Sequence, residues 1–312
     1  MLTLIQGRTY YLPGPVNIGV YLYPDGGAAI IDTGLDDESG RRVLKALREA
    51  DALPLRTIIN THSHADHCGG NAFLQKRTEA VTWATPFEAA VIENPYLEPF
   101  YLSGGDPFPA LRNKFLMAKP SRVDRRAQSE NPELAPLQVV PLPGHTPEQI
   151  GILTPDGVLF CADAFFSCAI LDKYYLPYFA QVRAALTTLE KLAGFQAAYY
   201  LPSHGELTAD LPAVLAANRA RLLAVSEYIL TILEEPRSRE DLVAIIATEK
   251  GMAFSPDQYF LSSAAVAGHL AYLAEEGLVR HYFSAGRMLW VRAESATTFA
   301  AGKRAVLPQG GA

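Results

Sequence analysis

Six consecutive residues hold three imidazoles and one carboxylate. They are His62, His64, Asp66 and His67 in the stretch Thr61-His62-Ser63-His64-Ala65-Asp66-His67-Cys68-Gly69-Gly70. In an extended segment alternate side chains share a face, so His62 and His64 can hold one ion together. As the chain turns, Asp66 and His67 can point at a second. Imidazole nitrogen with carboxylate oxygen suits zinc, or a similar divalent ion, better than magnesium or calcium.

The flanking residues say what positions this cluster. Residues 55–60, apolar and partly β-branched, predict a short buried strand, and Gly69-Gly70 allows a turn into a helix over 71–80. The cluster therefore sits on a strand-to-helix loop, where α/β sheets place their sites. Three more donors follow predicted strands: His145 after 137–140, Asp163 after 158–161 and His204 after 197–201. The chain has seven histidines, and five of them fall at these positions. Further strands are expected at 10–12, 18–23, 28–32, 81–84 and 149–153, with helices at 37–50 and 181–193.

The 312 residues permit one large domain or two ordinary ones. At 49% hydrophobic and 19% charged, the composition is that of a globular, soluble protein. The net charge of −6 without a long basic run argues against non-specific nucleic-acid binding. Cys68, Cys161 and Cys168 are too few and too unevenly spaced for a disulfide framework. No signal peptide or membrane-spanning run is visible, so a cytoplasmic protein is expected. Segment 86–133 is rich in prolines, aromatics and basic residues (Arg112, Lys114, Lys119, Arg122, Arg125, Arg126). It reads either as a lid beside the site that attracts an anionic substrate or as a solvated excursion.

These residues carry a family resemblance. Asp32-Thr33-Gly34, the 61–70 stretch, Pro143-Gly144-His145-Thr146, Cys161-Ala162-Asp163 and Ser203-His204-Gly205 stand in the order found in the metallo-β-lactamase superfamily of hydrolases, over about residues 5–210. The resemblance implies an α/β fold, the αββα sandwich, with metals at one edge between two sheets. It implies that His62, His64 and His145 hold a first metal ion, that Asp66, His67 and His204 hold a second, and that Asp163 bridges them. Both ions are expected to be zinc, with iron or manganese as alternatives. His64 separates the chain from the flavodiiron reductases, which carry glutamate there. Ser203 and Cys68 depart from the usual pattern without removing a ligand. A metal-bridging hydroxide would then attack a small ester, thioester or lactone, with Asp66 orienting it and Asp32 supporting the metal-bound imidazoles. Two alternatives are a phosphodiesterase or ribonuclease, and a mononuclear iron sulfur dioxygenase.

After about residue 211 the texture changes. Helices are expected over 213–233, 239–249 (capped by Ser238) and 256–276, then a hairpin over 278–291. Three helices and a hairpin resemble the small winged-helix domain appended to some members of the superfamily. The chain thus divides into 1–210, a catalytic domain with the 86–133 insertion, and 211–312. The third helix has no Lys or Arg, so this module reads as packing or homodimerisation, or as part of the substrate cleft, and not as a nucleic-acid reader. The tail after about 295 is expected to fray. Cys68 reads as a small buried residue. Tyr174, Tyr175 and Tyr178, with Lys173, read as core or pocket wall.

Overall fold

A computed structural model describes residues 1–294; the tail expected to fray lies outside the described residues. The first sheet runs β1 (Thr3–Gln6), β2 (Thr9–Leu12), β3 (Ile18–Leu22), β4 (Ala28–Ile31), β5 (Leu55–Ile59), β6 (Val81–Ala84) and β7 (Arg125–Arg126), in that spatial order. Its first four strands are antiparallel neighbours and its last four parallel ones. Between β4 and β5 lies α1 (Asp37–Glu49), capped by Asp36. After β5 come α2 (Ala65–Cys68) and α3 (Asn71–Gln75). The helix expected to reach residue 80 thus ends at Gln75. The strand β1 carries no strong alternation, which is why the sequence does not announce it.

The 86–133 segment is more regular than its sequence suggests. It contains α4 (Pro86–Glu93) and α5 (Leu97–Ser103), and its β7 extends the first sheet. The second sheet has the order β11 (Tyr199–Pro202), β10 (Val158–Ala162), β9 (Ile150–Leu153), β8 (Gln138–Pro141). α6 (Cys168–Lys173) and α7 (Val182–Ala193) link β10 to β11.

Side-chain alternation builds the layers. In β4, Ile30 faces Val43 and Leu47 of α1, while Ala29 and Ile31 face the second sheet and pack with Ile152, Phe160 and Leu201. On the far side of that sheet, Leu159 and Cys161 pack against Leu189 and Leu192 of α7. The result is a mixed α/β sandwich, helix–sheet–sheet–helix.

The chain continues through α8 (Pro212–Ile232), α9 (Arg239–Glu249), α10 (Pro256–Glu275) and the hairpin β12 (Val279–Ser284) with β13 (Arg287–Arg292). Ser238 caps α9 in a reciprocal pair with Asp241. Ala285 and Gly286 both have positive φ, the twist a two-residue hairpin needs. α8 serves two cores. Leu215 and Leu222 complete the layer outside the second sheet, and Val225, Ile229 and Leu230 pack with α9 and α10. No helix among the described residues is long and apolar enough to cross a membrane.

Candidate metal centre

Strand direction brings the donors to one edge. β4 and β5 are parallel, so Asp32 and the 61–67 loop leave the first sheet at the same end. β8 and β10 are each antiparallel to β9, hence parallel to each other, and β11 is parallel to β10. The loops bearing His145, Asp163 and His204 therefore all leave the second sheet at one end. A register shift in β10, with Ala162 at φ 51°, precedes Asp163. Asp32 itself has φ 64°. Left-handed backbone at non-glycine residues costs energy and is held only where the surroundings impose it.

All seven predicted donors converge. His62 Nε2 and His145 Nε2 lie 3.1 and 2.9 Å from His64 Nδ1. His204 Nε2 is 3.3 Å from Asp66 Oδ2, and His67 Nε2 is 3.8 Å from Asp66 Oδ1. Asp163 Oδ2 stands between the two groups, 3.4 Å from His145, 3.5 Å from His204 and 3.7 Å from His67.

The outward nitrogens fix the tautomers. His145 Nδ1 donates to the Tyr178 carbonyl at 2.9 Å, and His204 Nδ1 to the Pro15 carbonyl at 2.9 Å. His67 Nδ1 donates to Asp32 Oδ2 at 2.8 Å. Thr61 Oγ1 donates to the same carboxylate at 2.8 Å, which leaves it to accept from His62 Nδ1 at 3.1 Å. Asp32 thus orients His67 directly and His62 through Thr61. Each of these four rings turns Nε2 inward, whereas His64 turns Nδ1 inward.

Two inward nitrogens, each about 3 Å from a third, cannot all be satisfied as neutral imidazoles, because at most one proton is available among lone pairs that repel. His67 Nε2 and Asp163 Oδ1 are buried with no hydrogen-bond partner. Buried polar atoms are seldom left so. These side chains are positioned to bind metal, and a cation accounts for both observations.

Electrostatics separate the rings. Burial, and then their cationic neighbours, hold His62 well below the usual imidazole range; His64 falls to about 3, and His145 is also lowered by burial. Burial opposes charge on His67 too, but Asp66, Asp163 and Asp32 outweigh it and raise it to about 10. Burial is likewise overcome at His204, where Asp163 and Asp66 raise it to about 9. Burial opposes ionisation of Asp66 and Asp163, yet the surrounding histidines keep both below the usual carboxylate range.

Three supporting residues escape a sequence reading. Glu88 of α4 is fully buried; it accepts from Ser63 N (2.9 Å), Ser63 Oγ (2.6 Å), Thr146 Oγ1 (2.6 Å) and Glu148 N (3.2 Å). One carboxylate thereby ties the His62–His64 loop to the His145 loop. Asn17 donates to the carbonyls of Pro202 and Gly205 at 3.0 and 2.8 Å, pinning the His204 loop. Glu98 of α5 is also buried and faces the centre, with Oε1 3.9 Å from His64 Nε2. Nothing in a single sequence distinguishes these from other Glu and Asn residues. Cys68 is a buried core thiol whose Sγ points to the Ser63 carbonyl. Tyr174 and Tyr178 line the cleft, whereas Tyr175 packs on Tyr228.

The six basic residues of the insertion are all ion-paired: Lys114 with Asp36, Lys119 with Asp37, Arg112 with Asp106, Arg122 with Asp124, Arg125 with Glu133 and Arg126 with Glu93. They form a neutralised face.

A family model described as the metallo-beta-lactamase superfamily matches residues 11–204, well over half of the chain. The chain belongs to the metallo-beta-lactamase superfamily. Among curated relatives, a hydroxyacylglutathione hydrolase of Albidiferax ferrireducens is 31% identical over 170 residues, 53% of each chain. One of Thiobacillus denitrificans is 27% identical over 196 residues, 62% of this chain and 61% of that one. The chain thus spans between half and two thirds of the length of these relatives. A crystal structure of a metallo-beta-lactamase family protein from Thermus thermophilus superposes with TM-score 0.73 at 22% identity, covering 92% of this chain and 99% of that one. Coverage that wide takes in most of the chain beyond residue 210, so the two share a fold that extends past the superfamily core.

Proposed function

We propose that the chain is a metal-dependent hydrolase that holds two divalent ions, zinc foremost, and cleaves a small ester, thioester or lactone. The observation that carries this reading is the inward convergence of seven side chains: the outward nitrogens of His62, His67, His145 and His204 are hydrogen-bonded, while the inward His67 Nε2, and Asp163 Oδ1, are buried without a partner. His62, His64 and His145 would hold one ion, Asp66, His67 and His204 the other, and Asp163 both. Bound there, two divalent cations lower the pKa of a shared water and take up the negative charge that develops on a carbonyl oxygen. The chain's own part is to orient. Asp66 is partly exposed to the cleft, and His67 and His204 hold its carboxylate ionised in the metal-free chain against its burial, so it would orient an attacking water. The hydrogen bonds to Asp32, Tyr178 and Pro15 keep the ligand rings from turning.

A thioester is favoured among these substrates because the relatives' name denotes hydrolysis of an acyl group from glutathione. The phosphodiesterase alternative drew on the appended winged helix and the basic insertion; α10 carries no Lys or Arg, and the insertion's cations are each ion-paired. The mononuclear iron alternative, with one ion on two histidines and an aspartate, uses only three of the seven converging side chains. We further read residues 1–210 and 211–312 as two units, the second winged-helix-like. α10 supplies Asp257, Gln258 and Leu261 to the cleft, so this unit acts as a wall of the site. It is also the candidate contact for a homodimer, which light scattering tests.

The test is metal analysis of protein purified without added metal, followed by thioester, ester and phosphodiester assays on the wild type and His62→Ala. Two zinc equivalents and thioester turnover lost in the variant support the reading. One iron equivalent with oxygen uptake from a persulfide would sink it.

A further inference from the structure

The cleft above the centre has a volume of about 800 Å³. Much of its wall is apolar: Val16, Leu35, Phe115, Leu116 and Leu261. Two charged residues on its rim, Asp36 and Arg42, are engaged, and Asp257 of α10 is partly exposed to solvent. Asp36 pairs with Lys114, and Arg42 donates to the Pro13 carbonyl. Glu98 is different. Its side chain is 4% exposed, it lines the cavity, and it has no hydrogen-bond partner among the described residues. His64 Nε2, itself buried and without a hydrogen-bond partner, stands 3.9 Å away, beyond hydrogen-bond reach. A buried carboxyl left without a partner is costly, and the cost grows when a ligand expels the remaining water.

We infer that Glu98 is a specificity-determining residue that receives a hydrogen-bond donor (a hydroxyl, amide N–H or ammonium group) on the substrate, close to the carbonyl under attack. The inference rests on the hydrolase reading for the reaction but on the cavity alone for the recognition. Its place next to His64 sets the donor beside the centre, on the acyl side or the leaving group within a few atoms of the carbonyl. A purely apolar acyl group would bury Glu98 unpaired, and a site built to bond a polar group rejects the analogue that lacks it. The residue comes from the insertion and not from the loops that carry the metal donors, so it tunes selectivity without supplying a donor to the centre.

The experiment is calorimetry of the metal-loaded protein with three metal-chelating probes that differ at one position: lactohydroxamic, alaninehydroxamic and propionohydroxamic acid. The wild type should bind at least one of the first two roughly tenfold more tightly than the third. Glu98→Leu should erase the preference while its metal content stays that of the wild type. Glu98→Gln, of the same shape, should keep part of a hydroxyl preference and lose an ammonium preference; it decides the matter if the leucine variant does not fold. Equal binding of all three by the wild type overturns the inference, as does a preference that survives in Glu98→Leu. A parallel loss of all three with loss of metal also overturns it, because Glu98 would then act by positioning His64. If the probe preference holds but no thioester, ester or lactone is cleaved, the proposed reaction fails and the recognition role stands.

Discussion

Asp32 and Glu88 stand behind different parts of the histidine cluster, and their removal should have separable consequences. Asp32 accepts from Thr61 N, Thr61 Oγ1 and His67 Nδ1. Glu88 accepts from the residues beside His64 and His145. Removing an outer carboxylate that orients a metal ligand typically costs about 10–100-fold in metal affinity. Asp32→Ala should therefore weaken chiefly the ion near His67, and Glu88→Ala the ion near His64 and His145. Competition with a chelator, one ion at a time, reads this; an unchanged affinity in either variant removes that residue from the role. The pKa pattern makes a second prediction. His67 and His204, raised to about 10 and 9, carry protons at neutral pH in the metal-free protein. Both must lose them to bind metal, so filling their site should release up to two protons and should weaken as pH falls. His62, His64 and His145 are already neutral, so their site should fill without release. Calorimetry in two buffers of different ionisation enthalpy counts the protons. Equal release at both sites would contradict the assignment.

At the scale of elements, the 61–70 loop is held by close backbone packing. A Cβ on Gly69 would lie 1.9 Å from the Leu35 carbonyl oxygen and 2.6 Å from that of Ala65. Because backbone has to move, Gly69→Ala should cost at least the roughly 1–3 kcal/mol typical of overpacking. A urea melt of metal-free protein measures it, and a midpoint equal to the wild type would show that the loop has room. Gly144, at φ 137° and packed on Ala185, plays the matching part beside His145. A buried relay of Asn60, Asn71 and Thr33 stiffens the same loop: Asn71 Nδ2 donates to Asn60 Oδ1 at 2.7 Å and Thr33 Oγ1 to Asn71 Oδ1 at 2.9 Å.

At the scale of the molecule, α8 joins the two cores, burying Leu215 and Leu222 against the second sheet's outer layer and Val225, Ile229 and Leu230 against α9 and α10. A chain ending at residue 210 would expose that layer. It should lose cooperative thermal unfolding, as followed by circular dichroism, even though it keeps every metal donor. A native-like transition in the truncated chain would show that the sandwich closes without α8. Phe108 of the insertion also meets Phe260 of α10 at a ring distance of 6.2 Å, so the cleft is walled by two elements far apart in sequence.

By itself the sequence singled out the seven side chains that converge and most of the elements that carry them. His62, His64, Asp66, His67, His145, Asp163 and His204 are chemically distinctive residue types at strand ends, and short apolar, partly β-branched runs bounded by turn residues mark the strands. Those signals are local, and local signals survive in a linear reading. Only the tertiary structure decided what stands around the centre. Glu88, Asn17 and Glu98 act across separations that no periodicity encodes, and their residue types are common. Whether a charge is free also depends on its partner in space. The basic residues at 112–126 read in sequence as an anion-attracting face, but Asp36, Asp37, Asp106, Asp124, Glu133 and Glu93 stand beside them. The cleft wall needed three dimensions for the same reason. It is made where the insertion and α10 meet, and neither segment predicts the other.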